Sequence, residues 1–128
     1  MVNLRIGYSP KPTLCIYVYD KETRGRIIIC RFKGWKADLI LSSLADLLSE
    51  VRHYADGRRV LECQGEEQSL KIKLIISTLR GMRSKERCIK VINAIKSMNE
   101  PELHWWYRLY LKYDRKLLRA LRILYAKE

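Results

Sequence analysis

The chain has 128 residues, 48% of them hydrophobic, with 26 Lys and Arg against 14 Asp and Glu, for a formal charge of +12. That length fits one domain, residues 1–128, able to bury roughly two thirds of its unfolded surface; six Gly and three Pro argue against a long disordered tail or low-complexity linker. The N-terminal Met1-Val-Asn-Leu-Arg-Ile-Gly7 lacks the apolar core of a signal peptide, and no run approaches the roughly 20 apolar residues of a membrane span, so a cytoplasmic protein is expected.

Val2, Leu4, Ile6 and Tyr8 alternate as a strand would, and Ser9-Pro-Lys-Pro12 separates them from the next apolar run. Leu14–Tyr19 and Arg26–Phe32 are β-rich runs around the polar Asp20-Lys-Glu-Thr-Arg-Gly25, which ends in the residue best suited to positive φ. They predict a hairpin. Pairing Tyr19 with Arg26 puts Leu14, Ile16, Val18, Ile27 and Ile29 on one face and Cys15, Tyr17, Ile28 and Cys30 on the other. Cys15 then stands opposite Cys30, where a cross-strand disulfide competes with buried free thiols acting as small apolar residues; a register shift of one residue separates the pair.

Ile40, Leu44, Leu47, Leu48, Val51 and Tyr54 recur at helical spacing, predicting a helix over 36–54 that Gly57 ends. Its acids, Asp38, Asp46 and Glu50, make it a poor polyanion face. Arg59–Gln64 reads as a strand and Gly65–Gln68 as a turn. Leu70, Ile72, Leu74 and Ile76 alternate, so a second hairpin is expected, with Lys71 and Lys73 facing water; Ile72, Ile75, Ile76 and Leu79 would also line a helix. Ser84 is placed as the N-cap of a helix to about Met98, with Ile89, Ile92, Ile95 and Met98 facing the core. Pro101 opens a last helix, about 102–126. The fold class is therefore α+β: an antiparallel sheet built from two hairpins plus an N-terminal strand, with about three helices mainly on one face and a long, basic, amphipathic C-terminal helix.

The charge is uneven. Residues 71–128 hold 15 Lys or Arg against five acids, whereas 1–70 hold 11 against nine. In the last helix Arg108, Lys112, Arg115, Arg119 and Arg122 fall within an arc of about 80°, opposite Trp106, Leu109, Tyr110, Tyr113, Leu117, Leu121 and Leu124. Like charges at such spacing oppose helix formation slightly, and clustered cations gain free energy by releasing counterions from phosphates. Arg83, Lys85 and Arg87, at the predicted start of the preceding helix, add to that surface. Trp105 lies nearer the basic row than Trp106 and suits stacking on unpaired bases; Tyr17 and Tyr19, away from the Ile row, offer a sheet platform for them.

These residues predict a non-enzymatic, largely sequence-independent nucleic-acid-binding protein that contacts DNA or RNA through the backbone. The alternative is a small assembly or accessory subunit whose C-terminal helix docks on an acidic partner protein or on itself. Tyr107, Leu111, Leu118 and Tyr125 form a further apolar flank on that helix, so a homo-oligomer is expected. A membrane surface is disfavoured against these partners, although the helix combines Trp, Tyr and Leu with cations. His53 and His104 have no metal-ligand partner at local spacing and no paired groups suit acid-base or nucleophilic work, so neither a cofactor, a metal nor catalysis is expected. Scarce Asn and Gln with abundant charge and Ile resemble a thermophile composition.

Overall fold

The computed structural model of the protein describes residues 2–111. Val2–Ser9 (β1), Thr13–Asp20 (β2) and Arg26–Lys33 (β3) form an antiparallel meander, with Ile6 opposite Ile16 and Val18 opposite Ile27. The expected hairpin register holds from Tyr19↔Arg26 to Tyr17↔Ile28. It then slips, because Ile29 is an extra residue and Ile16 pairs with Cys30. The bulge turns Cys30 to the core side and places Arg31, rather than Cys30, opposite Cys15; all four cysteines are free. In the connecting turn Arg24, at φ 57°, takes the left-handed conformation expected of Gly25.

Trp35–Leu44 is the first helix (α1), followed by a single 3-10 turn at Ala45–Leu47. The helix expected over 36–54 is thus cut short. Leu48–His53 (β4) is a strand that pairs antiparallel with Arg59–Cys63 (β5), and Gly57 sits in their turn rather than at a helix end. Leu47 and Leu48 still pack on the core, which satisfies the helical spacing, whereas Val51 is exposed. What decided the outcome is β5, whose main chain bonds β1 on one side and β4 on the other. The complete sheet runs β3-β2-β1-β5-β4, with β3 and β4 at its edges.

Glu66–Leu79 (α2), Lys85–Lys96 (α3) and Glu100–Leu111 (α4) complete the described elements. The second strand expected at 70–76 is therefore a helix. Ser69, Leu70, Ile72, Lys73, Leu74, Ile75, Ile76 and Leu79 are all buried; at 100° per residue they leave no gap wider than about 100° around α2. A helix apolar on every side lies between layers. Lys73 shows which layers: it acts on Cys63 of β5 and lies 5.9 Å from the Tyr107 ring of α4. Because α2 is covered on every side, its apolar residues are not confined to a helical stripe, and Leu70, Ile72, Leu74 and Ile76 fall at alternate positions as they would in a strand. Lys73 is fully buried and Lys71 half-buried, its Nζ donating to the Lys96 carbonyl at 2.7 Å, so neither faces water as expected.

One core joins Leu4, Ile6, Leu14, Ile16 and Leu61 of the sheet to residues of all four helices. The described helices therefore pack on one face of the sheet. Among the described residues no helix is long and apolar enough to cross a membrane.

Candidate nucleic-acid interface

Ser84 caps α3 as expected, its Oγ accepting from the Arg87 N–H at 3.3 Å and donating to Glu86 at 3.2 Å. Arg83, Lys85 and Arg87 are exposed around this end, and no described carboxylate pairs with them. On α3 Cys88, Ile92 and Ile95 are buried, whereas Ile89, expected in the core, is exposed.

Asn99 starts α4: its side chain accepts from the Glu102 N–H at 3.0 Å, with Pro101 in the first turn, where its missing N–H costs nothing. Leu103 and Tyr107, one turn apart, are buried, and Trp106 is half-buried. This makes Tyr107 a core residue rather than part of a separate flank, and leaves Leu109, expected on the core side, 40% exposed. Trp105 is 58% exposed and stands edge-on to Trp106, with ring centroids 4.9 Å apart. Arg108, three residues on, is exposed on the same side. The structure thus brings together Trp105 and Arg108. Lys112, Arg115, Arg119 and Arg122 lie outside the described residues, as does the rest of the apolar pattern of that helix from Tyr113 to Tyr125.

The face of the sheet opposite the core carries cations that the sequence reading missed. Strand pairing sets Arg31, Cys15, Gly7, Val60 and Arg52 in one row and Ile28, Tyr17, Arg5, Glu62 and Ser49 in the next. Arg26, Tyr19 and Asn3 flank them on one side, with Lys33, Thr13 and Ser9 on the other. Arg5, Arg26, Arg31, Lys33 and Arg52 thus share a face with a single acid, Glu62. Arg5 and Lys21 reach Glu62, at 3.4 and 3.8 Å, and neutralise it. The Arg5 guanidinium lies 4.2 Å from the centroid of the Tyr19 ring, and that of Arg26 lies 5.7 Å from Tyr17. Both contacts are within cation–π range. Burial beneath these neighbours raises the Tyr17 phenol pKa, although both nearby arginines oppose the shift. Asn3 Nδ2 and Arg5 Nε are buried on this face without a hydrogen-bond partner. Tyr17 and Tyr19 occupy the side expected of them. Arg26, paired with Tyr19 in the expected register, was legible on this face, whereas Arg31 and Lys33 could have been added only by anticipating the bulge, which moves both onto it.

Burial pushes the Cys63 thiol up to about 12 and the Lys73 amine down to about 7, so the thiol is held protonated rather than activated. Neither Lys73 nor Cys63 lines the apolar cavity of about 160 Å³ between Leu74, Ile95, Met98 and Trp106, or the groove beside β3. His53 and His104 make local contacts, to Glu50 at 2.9 Å and Glu100 at 3.6 Å. Among the described residues no cluster of His, Cys, Asp or Glu is placed to hold a metal ion.

Residues 14–127 match the family described as Domain of unknown function (DUF7680), so the chain belongs to that family. No curated protein and no solved structure matches it.

Proposed function

We propose that this protein binds nucleic acid without catalysis and largely independently of sequence, by contacts to the phosphate backbone. The observation that carries the reading is the sheet face opposite the core, where Arg26, Arg31, Lys33 and Arg52 are exposed and, with the half-buried Arg5, stand against one neutralised carboxylate. A solvent-facing sheet normally mixes both signs, because opposite charges across strands stabilise and like charges repel. An excess of cations on one face, without acids to absorb it, is favourable when a polyanion supplies the counter-charge. Arg83, Lys85, Arg87, Arg108 and the exposed Trp105 extend the basic surface onto the helical side. The row Lys112, Arg115, Arg119 and Arg122 continues it in sequence.

Fluorescence anisotropy of labelled DNA and RNA, titrated with protein at several salt concentrations, tests this. The expected result is an affinity that falls linearly in log–log form, with a slope implying about four or more phosphate contacts. Absence of binding at physiological ionic strength would overturn it.

A second reading, a subunit docking on an acidic protein or on a second copy, is favoured by one feature of α4. Trp105 and Leu109, 58% and 40% exposed, flank Arg108, an aromatic, apolar and Arg combination typical of interface cores. Sedimentation of the purified protein, with and without Trp105→Ser, separates self-association from the nucleic-acid reading.

A further inference from the structure

The edge of the sheet at β3 borders a groove of about 630 Å³, lined by residues 28–33, Lys36, Arg80 and Gly81. Four of its described lining residues are cations, Arg31, Lys33, Lys36 and Arg80, and none is an acid. Two of the cations are anchored through main-chain carbonyls, and for Lys36 that bond leaves the charge uncancelled. Lys36 Nζ donates to the Leu79 carbonyl at 2.7 Å, and Arg80 Nη2 donates to that of Ile29 at 3.1 Å. No described carboxylate pairs with Arg31, Lys33 or Lys36. Trp35 is 41% exposed, and the Lys36 ammonium is 6.0 Å from its ring centroid and equally far from that of Phe32.

An open edge strand normally invites another strand. Here the bulge at Ile29 breaks the ladder and Arg80 occupies the Ile29 carbonyl, so a ligand of this groove meets side chains rather than a main-chain template. Anchored cations beside an exposed indole match the recognition of single strands, in which phosphates track a basic groove and unpaired bases stack on aromatic rings. A duplex keeps its bases stacked internally and has no use for the ring. We infer that the β3 groove is a binding track for single-stranded nucleic acid, with Arg31, Lys33, Lys36 and Arg80 on the phosphates and Trp35 as the stacking surface. This inference rests on the nucleic-acid reading and narrows it to unpaired strands.

The test is anisotropy of the full chain with labelled oligo-dT and oligo-U of about 12 nucleotides, a mixed-sequence duplex of equal length, and an acidic poly-Glu peptide. Single strands are expected to bind at least about tenfold more tightly than the duplex. Trp35→Ala should weaken single-strand binding about tenfold without changing the salt slope, since stacking carries no counterion release. Trp35→Phe should restore most of the loss. Arg31→Gln with Lys33→Gln should lower the single-strand salt slope by about 1.4, the share of two phosphates. Melting curves confirm that each variant folds. Equal affinity for duplex and single strand, a folded Trp35→Ala variant with unchanged affinity, a loss seen only with Trp105→Ala, or capture of the peptide instead would each overturn the track. The first three leave nucleic-acid binding standing, whereas no binding of any DNA or RNA would sink both readings.

Discussion

Arg80, just past the end of α2, donates to the carbonyl of Ile29, the extra residue in the bulge of edge strand β3. A contact spanning 51 residues of sequence thus ties the middle layer to the sheet edge and occupies one of the edge's main-chain acceptors. Replacing Arg80 with Met should leave the Ile29 carbonyl open on an edge with less positive charge. The expected outcome is concentration-dependent association seen by light scattering, with a melting temperature lower by about 3–6 °C, on the scale of one lost hydrogen bond in a domain of this size.

Gly57 sits at φ 91° in the β4–β5 turn, where the Gly57 N–H donates to the Tyr54 carbonyl at 3.0 Å. A Cβ there would lie 2.7 Å from Cγ of Pro10, in the loop between β1 and β2. Gly57→Ala should therefore cost roughly 1–3 kcal/mol, part from the left-handed backbone and part from displacing the proline. Urea unfolding of Gly57→Ala, Pro10→Ala and the double variant separates the two. The double variant should recover the steric part alone, as a favourable coupling between the two sites.

Lys73 gives stability a distinctive pH dependence. Its folded pKa is pushed down to about 7 by burial, against an ordinary value of 10.5. Between pH 7 and 9 the unfolded chain therefore binds a proton on this amine that the folded chain lacks, and stability should rise with pH by at most about 1.4 kcal/mol per pH unit. Cys63 works the other way from pH 9 upward, because its thiol ionises near 9.0 when unfolded and is held protonated to about 12 when folded. The gain should thus flatten above pH 9 and reverse above about 10.5. Denaturant midpoints measured from about pH 7 to 11.5 check the curve. In Lys73→Met the rise between pH 7 and 9 should disappear.

Cys15 and Cys30 should not form an intramolecular disulfide in the folded protein. The bulge places Cys15 on the open face and Cys30, 9% exposed, on the core side, so their side chains leave opposite faces of the sheet. After mild oxidation of the native protein, alkylation in denaturant and intact-mass measurement should show Cys15 and Cys30 both blocked. A Cys15–Cys30 crosslinked peptide would contradict the bulge.

The open sheet face was only partly legible in the chain. Tyr17 and Tyr19 could be placed there because they alternate with Leu14, Ile16 and Val18 within one strand. Arg31 could not, since its face depends on one extra residue in β3 whose presence is defined only by pairing with β2. The β3 groove was still less visible: it joins Arg31 and Lys33 to Lys36 on α1 and Arg80 beyond α2, and no local pattern links those four positions.

What the sequence determined by itself was everything carried by short-range chemistry. The β2–β3 hairpin follows from two β-rich runs around a polar turn, the start of α3 from the Ser84 cap, the start of α4 from Pro101, and the excess charge from composition. Only the tertiary structure decided that 66–79 is a buried central helix, that 48–53 leaves a helical pattern to become an edge strand, and that Lys73 lies in the core. The reason is physical. A cap or tight turn satisfies its hydrogen bonds within a few residues, whereas an apolar run is stable as helix or strand according to the surfaces that cover it, and those are supplied by segments far along the chain.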